Sequence, residues 1–203
     1  MLQNILIWIS ENYIEVLASI FGLLYILLSI KQNIWCWPVG FITSALYIYV
    51  FFVTRFYADM GLQVYYLIVS VYGWYYWMFG GKSKKQDDLV ISKIGFKSGA
   101  ILFLINAVLF SAISYVLINF TDSDIPYWDA FTTAASFVAT WMLAQKKIEH
   151  WIIWIVVDAV SMGLYIYKGL YPTVFLFAVY TLLAILGYFE WKKELKKTLK
   201  KSY

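Results

Sequence analysis

"WIIWIVVDAVSMGLYIY" (residues 151–167) is an almost unbroken apolar run with an aspartate at its middle. It is too long for a strand and close to the ~20 residues that carry an α-helix across a bilayer. Asp158 costs about 2.5–3.5 kcal/mol at the centre of such a helix, so it is expected to face a cavity or a partner rather than lipid. A structural pairing with a tyrosine or tryptophan is the alternative. Trp151, Trp154, Asp158, Ser161 and Tyr165 recur at helical spacing, which puts the carboxylate on a face already rich in aromatic and hydroxyl groups.

The rest of the chain repeats this character. Of 203 residues, 63% are hydrophobic and 14% charged, with ten tryptophans, and the mean hydropathy is +0.71. These values belong to a membrane protein and leave no stretch for a soluble catalytic domain. Apolar runs between charged or turn-forming breaks predict seven spans, at 12–30, 34–53, 57–79, 96–119, 125–145, 148–168 and 170–191. The fold class is therefore all-α, a polytopic helical bundle forming a single transmembrane domain over 1–203. Pro38, Pro126 and Pro172 fall near helix starts, where a missing N–H does least harm. Cys36 is the only cysteine, which excludes an internal disulfide and a cysteine-based zinc site. The single histidine, His150, sits at a helix start in "KKIEHW" and is expected to be solvated or headgroup-facing. "MLQNILIWIS" lacks a basic leader and a small-residue cleavage site, so no cleavable signal is expected, although a further helix within residues 1–11 stays open.

Because consecutive spans alternate sides, fourteen of the sixteen basic residues gather on one face, leaving only Arg55 and Lys168 on the other. That bias predicts lysine-rich loops and C-terminus in the cytoplasm, with the N-terminus outside. It also accounts for the net charge of +4 without nucleic acid.

"LYIYVFFVTRFYADMGLQVYYLIVSVYGWYYW" (46–77) aligns with "LYIYKGLYPTVFLFAVYTLLAILGYFEW" (164–191) if the connecting loop is shortened by four residues. The match pairs Leu46-Tyr47-Ile48-Tyr49 with Leu164-Tyr165-Ile166-Tyr167, Tyr57 with Tyr171, Gly73 with Gly187 and Trp77 with Trp191. It predicts two like-oriented three-helix repeats, 12–79 and 125–191, joined by a linker helix at 96–119 and followed by a basic tail at 192–203. Transporters built from parallel repeats hold substrate near the membrane midplane between the halves.

Polar stripes point the same way. Asp129, Thr132, Thr133, Ser136 and Thr140 share one face of the fifth span. In the third, Gln63, Tyr66, Ser70, Gly73 and Trp77 do so, and the second carries Trp37, Gly40, Ser44 and Tyr47 with Thr43 beside them. Serine, threonine and glycine also serve as plain helix–helix contacts in membranes, and Asp129 is close enough to its helix start to act as a dipole-stabilising residue instead. Indole faces, a carboxylate and amide or hydroxyl donors together suit a small cationic or polarised ring with a hydrophilic arm, such as a vitamin or nucleoside.

"NIWCWPVGFITSALYIYVFF", "FYADMGLQVYYLIVSVYGWYYW" and "DAFTTAASFVATWMLAQKKIEHWIIWIVVD" resemble the PnuC family of bacterial vitamin transporters. The spaced pattern K-x-x-E-x-W-x-x-W-x-x-x-D, here Lys146 or Lys147, Glu149, Trp151, Trp154 and Asp158, carries most of the resemblance, with Y-A-x-x-x-L-Q ending at Gln63. The resemblance implies a SWEET-like fold, a homotrimer in the bacterial inner membrane, and facilitated diffusion of nicotinamide riboside that a cytoplasmic vitamin kinase traps by phosphorylation. It implies Gln63 at the sugar end, Thr132, Thr133 and Ser136 along the path, and Trp151 and Trp154 against the ring. Tyr66, Trp37, Thr43, Asp129 and Tyr165 complete the expected substrate-binding set. Asp158 stands where the family varies between Asn and Asp, and Thr43 where some members have an amide, so thiamine is the alternative cargo.

No nucleotide-binding loop, H-E-x-x-H or central carboxylate pair is present. No cofactor or metal is expected, and an intramembrane enzyme is the less favoured class. Proton or sodium coupling through Asp158 is the alternative to uniport.

Overall fold

The computed structural model describes residues 13–53, 57–80, 89–167, 169 and 171–201. The first twelve residues, where a leader or further helix was considered, lie outside it. Seven helices follow one another: α1 (Tyr13–Ile30), α2 (Cys36–Val53), α3 (Tyr57–Phe79), α4 (Phe96–Phe120), α5 (Pro126–Ala144), α6 (His150–Tyr167) and α7 (Tyr171–Lys201). By length and composition α2, α4, α6 and α7 are apolar enough to cross a membrane. The polar stripes lower the hydropathy of α3 and α5; α5 is covered by the bundle, whereas α3 keeps an exposed apolar face with Ile68, Val71 and Tyr75.

Helix boundaries 114 residues apart match across the chain: Ile30 with Ala144, Cys36 with His150, Val53 with Tyr167 and Tyr57 with Tyr171. The turns between first and second helices match bond for bond. Gln32 and Lys146 both adopt left-handed backbone, at φ 52° and 49°. Gln32 N–H donates to Ser29 O and Asn33 N–H to Leu28 O, as Lys146 N–H does to Leu143 O and Lys147 N–H to Met142 O. This is a Schellman ending built twice, satisfying the same two carbonyls of each helix end. No residue is dropped between the second and third helices, so the four-residue contraction expected from the "LYIY" match is incorrect. "LYIY" in α6 sits one helical turn beyond its look-alike in α2.

Within each triplet the helices pack in order, α1 on α2 on α3 and α5 on α6 on α7, and the triplets meet where α3 packs on α5 and α1 on α7. The linker α4 lies against α5. At the end of the bundle that carries the α1–α2 and α5–α6 turns, a core forms from Trp37, Trp77, Trp151 and Trp191 with Val69, Leu143, Ile148 and Ala184. Trp37 meets Trp77 edge-on at 5.4 Å and Trp151 meets Trp191 edge-on at 5.7 Å. Gly73 and Gly187 admit those rings: a Cβ on Gly187 would stand 2.7 Å from Cη2 of Trp151, and one on Gly73 closer still to Trp37. Each triplet also secures the other. The indole of Trp77 donates to Ala144 O at 3.0 Å, and that of Trp191 donates to Ser29 O and Ile30 O at 3.1 Å. Ala144 and Ile30 are last-turn carbonyls that the Schellman bonds leave unpaired.

Two expectations change here. His150 is fully buried, its ring 4.4 Å from Trp151 and edge-on to Trp191 at 4.9 Å, rather than solvated. The segment before α4 covers that end: Ser92 N–H donates to Lys146 O, Ile148 N–H donates to Ser92 O, and Ile94 N–H donates to the Glu149 carboxylate at 3.1 Å. The basic tail is not separate from the seventh span either. α7 runs on to Lys201 because no glycine or proline follows Gly187 in a stretch rich in good helix formers, and Leu195 packs onto the core.

Candidate functional site

In the constant register, one level of the bundle collects three equivalent pairs: Gly22 and Ser136 from the first helices, Ser44 and Asp158 from the second, Tyr66 and Tyr180 from the third. Ser44, Ser136 and Asp158 are buried, the last only 6% exposed. The Tyr66 side chain lies near Ser136 and Thr140, and both Tyr66 and Tyr180 lie within electrostatic reach of Asp158. The Tyr180 hydroxyl stands 3.4 Å from the point where a Gly22 Cβ would be. Each third-helix tyrosine thus reaches across to the first helix of the opposite repeat. Beyond Tyr180 comes Tyr47, whose hydroxyl is 3.1 Å from Ser19 Oγ. Among the described residues no lysine or arginine forms an ion pair with Asp158.

Around this level the expected residues divide into three groups. Trp154 lies one turn from Asp158 on α6, half-buried against the aromatic core. Gln63 is one turn from Tyr66 on α3, and Thr133 one turn from Ser136 on α5, both half-buried. Tyr66, Ser136 and Asp158 are brought together, flanked by Trp154 one turn toward the tryptophan core and by Gln63 and Thr133 one turn toward the other end. Thr132 and Thr43 spend their hydroxyls on their own helices. Thr132 Oγ1 donates to the carbonyls of Trp128 and Asp129, and Thr43 Oγ1 to that of Val39, while the Thr43 methyl lies toward Gly22. Asp129 accepts from Ser123 Oγ at 2.8 Å in the first turn of α5, the arrangement of a helix-start residue. Tyr165 meets Phe177 at a tilt, with ring centroids 5.0 Å apart, towards the far end of α6.

Trp37 and Trp151 differ most from expectation. At 1% and 3% exposure they are closed inside the tryptophan core, two helical turns from the Ser44 and Asp158 level, with their rings on Gly73 and Gly187. The charged members of the K-x-x-E motif likewise serve the fold. Lys146 reaches Gln32 Oε1 at 3.3 Å and lies over the Trp77 ring, Lys147 donates to Ser92 Oγ, and Glu149 holds Ile94. Sequence reasoning missed Tyr180, whose signal was its spacing of 114 from Tyr66. It also left Ser44 and Thr140 outside the candidate set.

Two surface grooves lie elsewhere. One of about 560 Å³ runs along the start of α4 over Gly95, Phe96 and Phe103, and one of about 460 Å³ lies among the lysines of α7. Neither combines a carboxylate with aromatic faces. The chemistry available at the Asp158 level is recognition: a negative charge, hydroxyls that donate or accept, and ring surfaces, with no nucleophile–base pair.

The chain is similar to known vitamin transporters. The nicotinamide riboside transporter PnuC of Escherichia coli K12 is 25% identical, the alignment covering 93% of this chain and 92% of that protein. The riboflavin/roseoflavin transporter RibM of Streptomyces davaonensis is 24% identical over 87% of this chain and 83% of its own. The crystal structure of the vitamin B3 transporter PnuC shares the fold, with a TM-score of 0.75 at 21% identity, covering 96% of this chain and 87% of that one. Residues 12–193 match the nicotinamide mononucleotide transporter family, and the chain belongs to it.

Proposed function

We propose that this chain is a multi-pass transporter of the bacterial inner membrane that moves nicotinamide riboside by facilitated diffusion. The observation that carries the reading is Asp158, a buried carboxylate between Tyr66 and Tyr180 where the two repeats meet, with no ion-pair partner among the described residues. A pyridinium ring supplies the missing positive charge, and Trp154 offers it an aromatic face. Gln63, Thr133 and Ser136 have the amide and hydroxyl groups to read a ribose. Thiamine, whose thiazolium is also cationic, is the second cargo the same feature favours. The isoalloxazine carried by a riboflavin transporter has no such charge.

Alternating access follows from rocking one triplet against the other about their twofold relation, with the indole bonds of Trp77 and Trp191 closing the basic end. In this reading the lysine-rich loops and α7 extension face the cytoplasm and the N-terminus lies outside, the protein assembles as a homotrimer, and a cytoplasmic kinase holds the product inside. The test is uptake of labelled nicotinamide riboside, thiamine and riboflavin into proteoliposomes, without and with an ion gradient. Equilibration of a cationic vitamin without a gradient supports uniport. Accumulation that requires a gradient would replace it by symport, and preference for riboflavin would remove Asp158 as the selecting group. Asp158→Asn, which keeps size but not charge, is expected to weaken cationic-vitamin binding by about tenfold or more.

A further inference from the structure

The two repeats exchange bulk at one place. Gly40 of α2 and Trp154 of α6 are equivalent positions 114 residues apart, and so are Tyr25 of α1 and Ala139 of α5. In the second repeat a large ring grows from the second helix beside a small first-helix residue. In the first repeat the ring comes from the first helix, and the second-helix residue has no side chain. Tyr25 takes up that space: a Cβ on Gly40 would stand 2.9 Å from its Cδ2 and Cε2, and 3.2 Å from Ser70 Oγ. The position matching Ser70 in α7 is Ala184, so the larger indole of Trp154 is matched by a smaller neighbour.

We propose that Tyr25 is the first repeat's counterpart of Trp154, a substrate-positioning ring that meets the cargo from the opposite triplet. Three observations place it at the site. It lies one turn from Gly22, as Trp154 lies one turn from Asp158. It is within electrostatic reach of Tyr65 and Tyr66, the latter being the residue that reaches Ser136 and Asp158. It is half-buried, as are Tyr66 and Trp154, and like Trp154 it packs against the tryptophan core, with one ring edge on Gly40. An aromatic cargo held between rings from both triplets draws them together, which couples binding to the closure that alternating access requires.

This inference rests on the transport reading, and the test separates the two. Binding of nicotinamide riboside and thiamine is measured by calorimetry on purified protein, alongside the melting temperature without ligand. Tyr25→Leu keeps bulk on Gly40 but removes the aromatic face, and is expected to weaken binding roughly three- to tenfold. Tyr25→Phe, which keeps the ring, is expected to bind like the unchanged protein. Should the leucine variant fail to fold, the transplant Tyr25→Ala/Gly40→Trp/Ser70→Ala, which rebuilds the second repeat's arrangement in the first, decides: regained binding supports the proposal and lost binding overturns it. Unchanged binding in Tyr25→Leu together with weakened binding in Trp154→Ala overturns the role of Tyr25 and leaves the transport site standing. Unchanged binding in Tyr25→Leu, Trp154→Ala and Asp158→Asn alike overturns both.

Discussion

Replacing Gly187 by alanine tests the packing that joins the repeats. The added Cβ would stand 2.7 Å from Cη2 and Cζ2 of Trp151 and 2.8 Å from Cε2, against about 3.5–4.0 Å for a relaxed carbon–carbon contact. The ring must therefore retreat by about 0.8 Å or more. It has nowhere to go, because Trp151 is 3% exposed, faced edge-on by Trp191 at 5.7 Å and flanked by His150 at 4.4 Å. Trp191 is in turn held by its bonds to Ser29 O and Ile30 O. Overpacking of this kind costs about 1–3 kcal/mol, or roughly 2–12 °C in melting temperature for a chain of this size. Gly73→Ala should cost at least as much, since Trp37 is nearer and equally enclosed. Gly61 and Gly163 are internal controls: both lie within helices with nothing within 4 Å of a built Cβ. Alanine there should be neutral or stabilise by up to about 1 kcal/mol through helix propensity alone. Thermal unfolding of the four variants in one detergent reads the comparison. If Gly187→Ala and Gly73→Ala melt with Gly61→Ala, the tryptophan–glycine packing does not hold the helices as described.

The remaining predictions concern neighbouring parts of the same framework. Trp77→Phe and Trp191→Phe each leave a last-turn carbonyl without its indole donor, so both should lower stability by about 1–3 kcal/mol beyond the loss of ring area, and thermal melts should place them close together; an effect confined to one would break the equivalence of the repeats. Glu149→Ala frees Ile94 N–H and should cost about 1–2 kcal/mol while loosening the backbone at the exposed Lys93 for trypsin, read by limited proteolysis, with unchanged cleavage counting against the strap. Asp129→Asn should leave vitamin affinity within twofold in calorimetry, because its carboxylate is engaged by Ser123 at the start of α5. For topology, Lys197→Cys in a Cys36→Ser background should react with an impermeant thiol reagent only from inside the cell, and labelling from outside would invert the orientation.

What the sequence made legible was set by what periodicity can detect. The apolar run around Asp158 and the hydroxyl face of the fifth span announce themselves because a 3.6-residue period separates lipid-facing from inward positions, and on that basis Asp158, Ser136 and Tyr66 are read as inward-facing, as the structure has them. The covered end of the bundle was invisible: nothing local in "KKIEHW" tells that residues 92–94 engage Lys147, Ile148 and Glu149 or that His150 is buried against Trp151 and Trp191. A tryptophan in a stripe likewise cannot declare whether it faces a ligand or a glycine on the next helix, and so Trp37 and Trp151 were expected at the site and lie in the core. The register error is the most instructive. A slip of four residues turns a helix by about 400°, only about 40° from its starting face, so every stripe survives it and an aromatic-rich "LYIY" can match one turn out of place. That slip would pair Asp158 with Gly40. The constant spacing pairs it with Ser44, and in doing so aligns Gly22, Ser44 and Tyr66 with Ser136, Asp158 and Tyr180. One repeat therefore presents a hydroxyl where the other presents a charge, and a ring from the first helix where the other has one from the second. A cargo lodged between such halves meets unlike walls, so a duplicated fold can bind a polar, asymmetric vitamin in a single orientation.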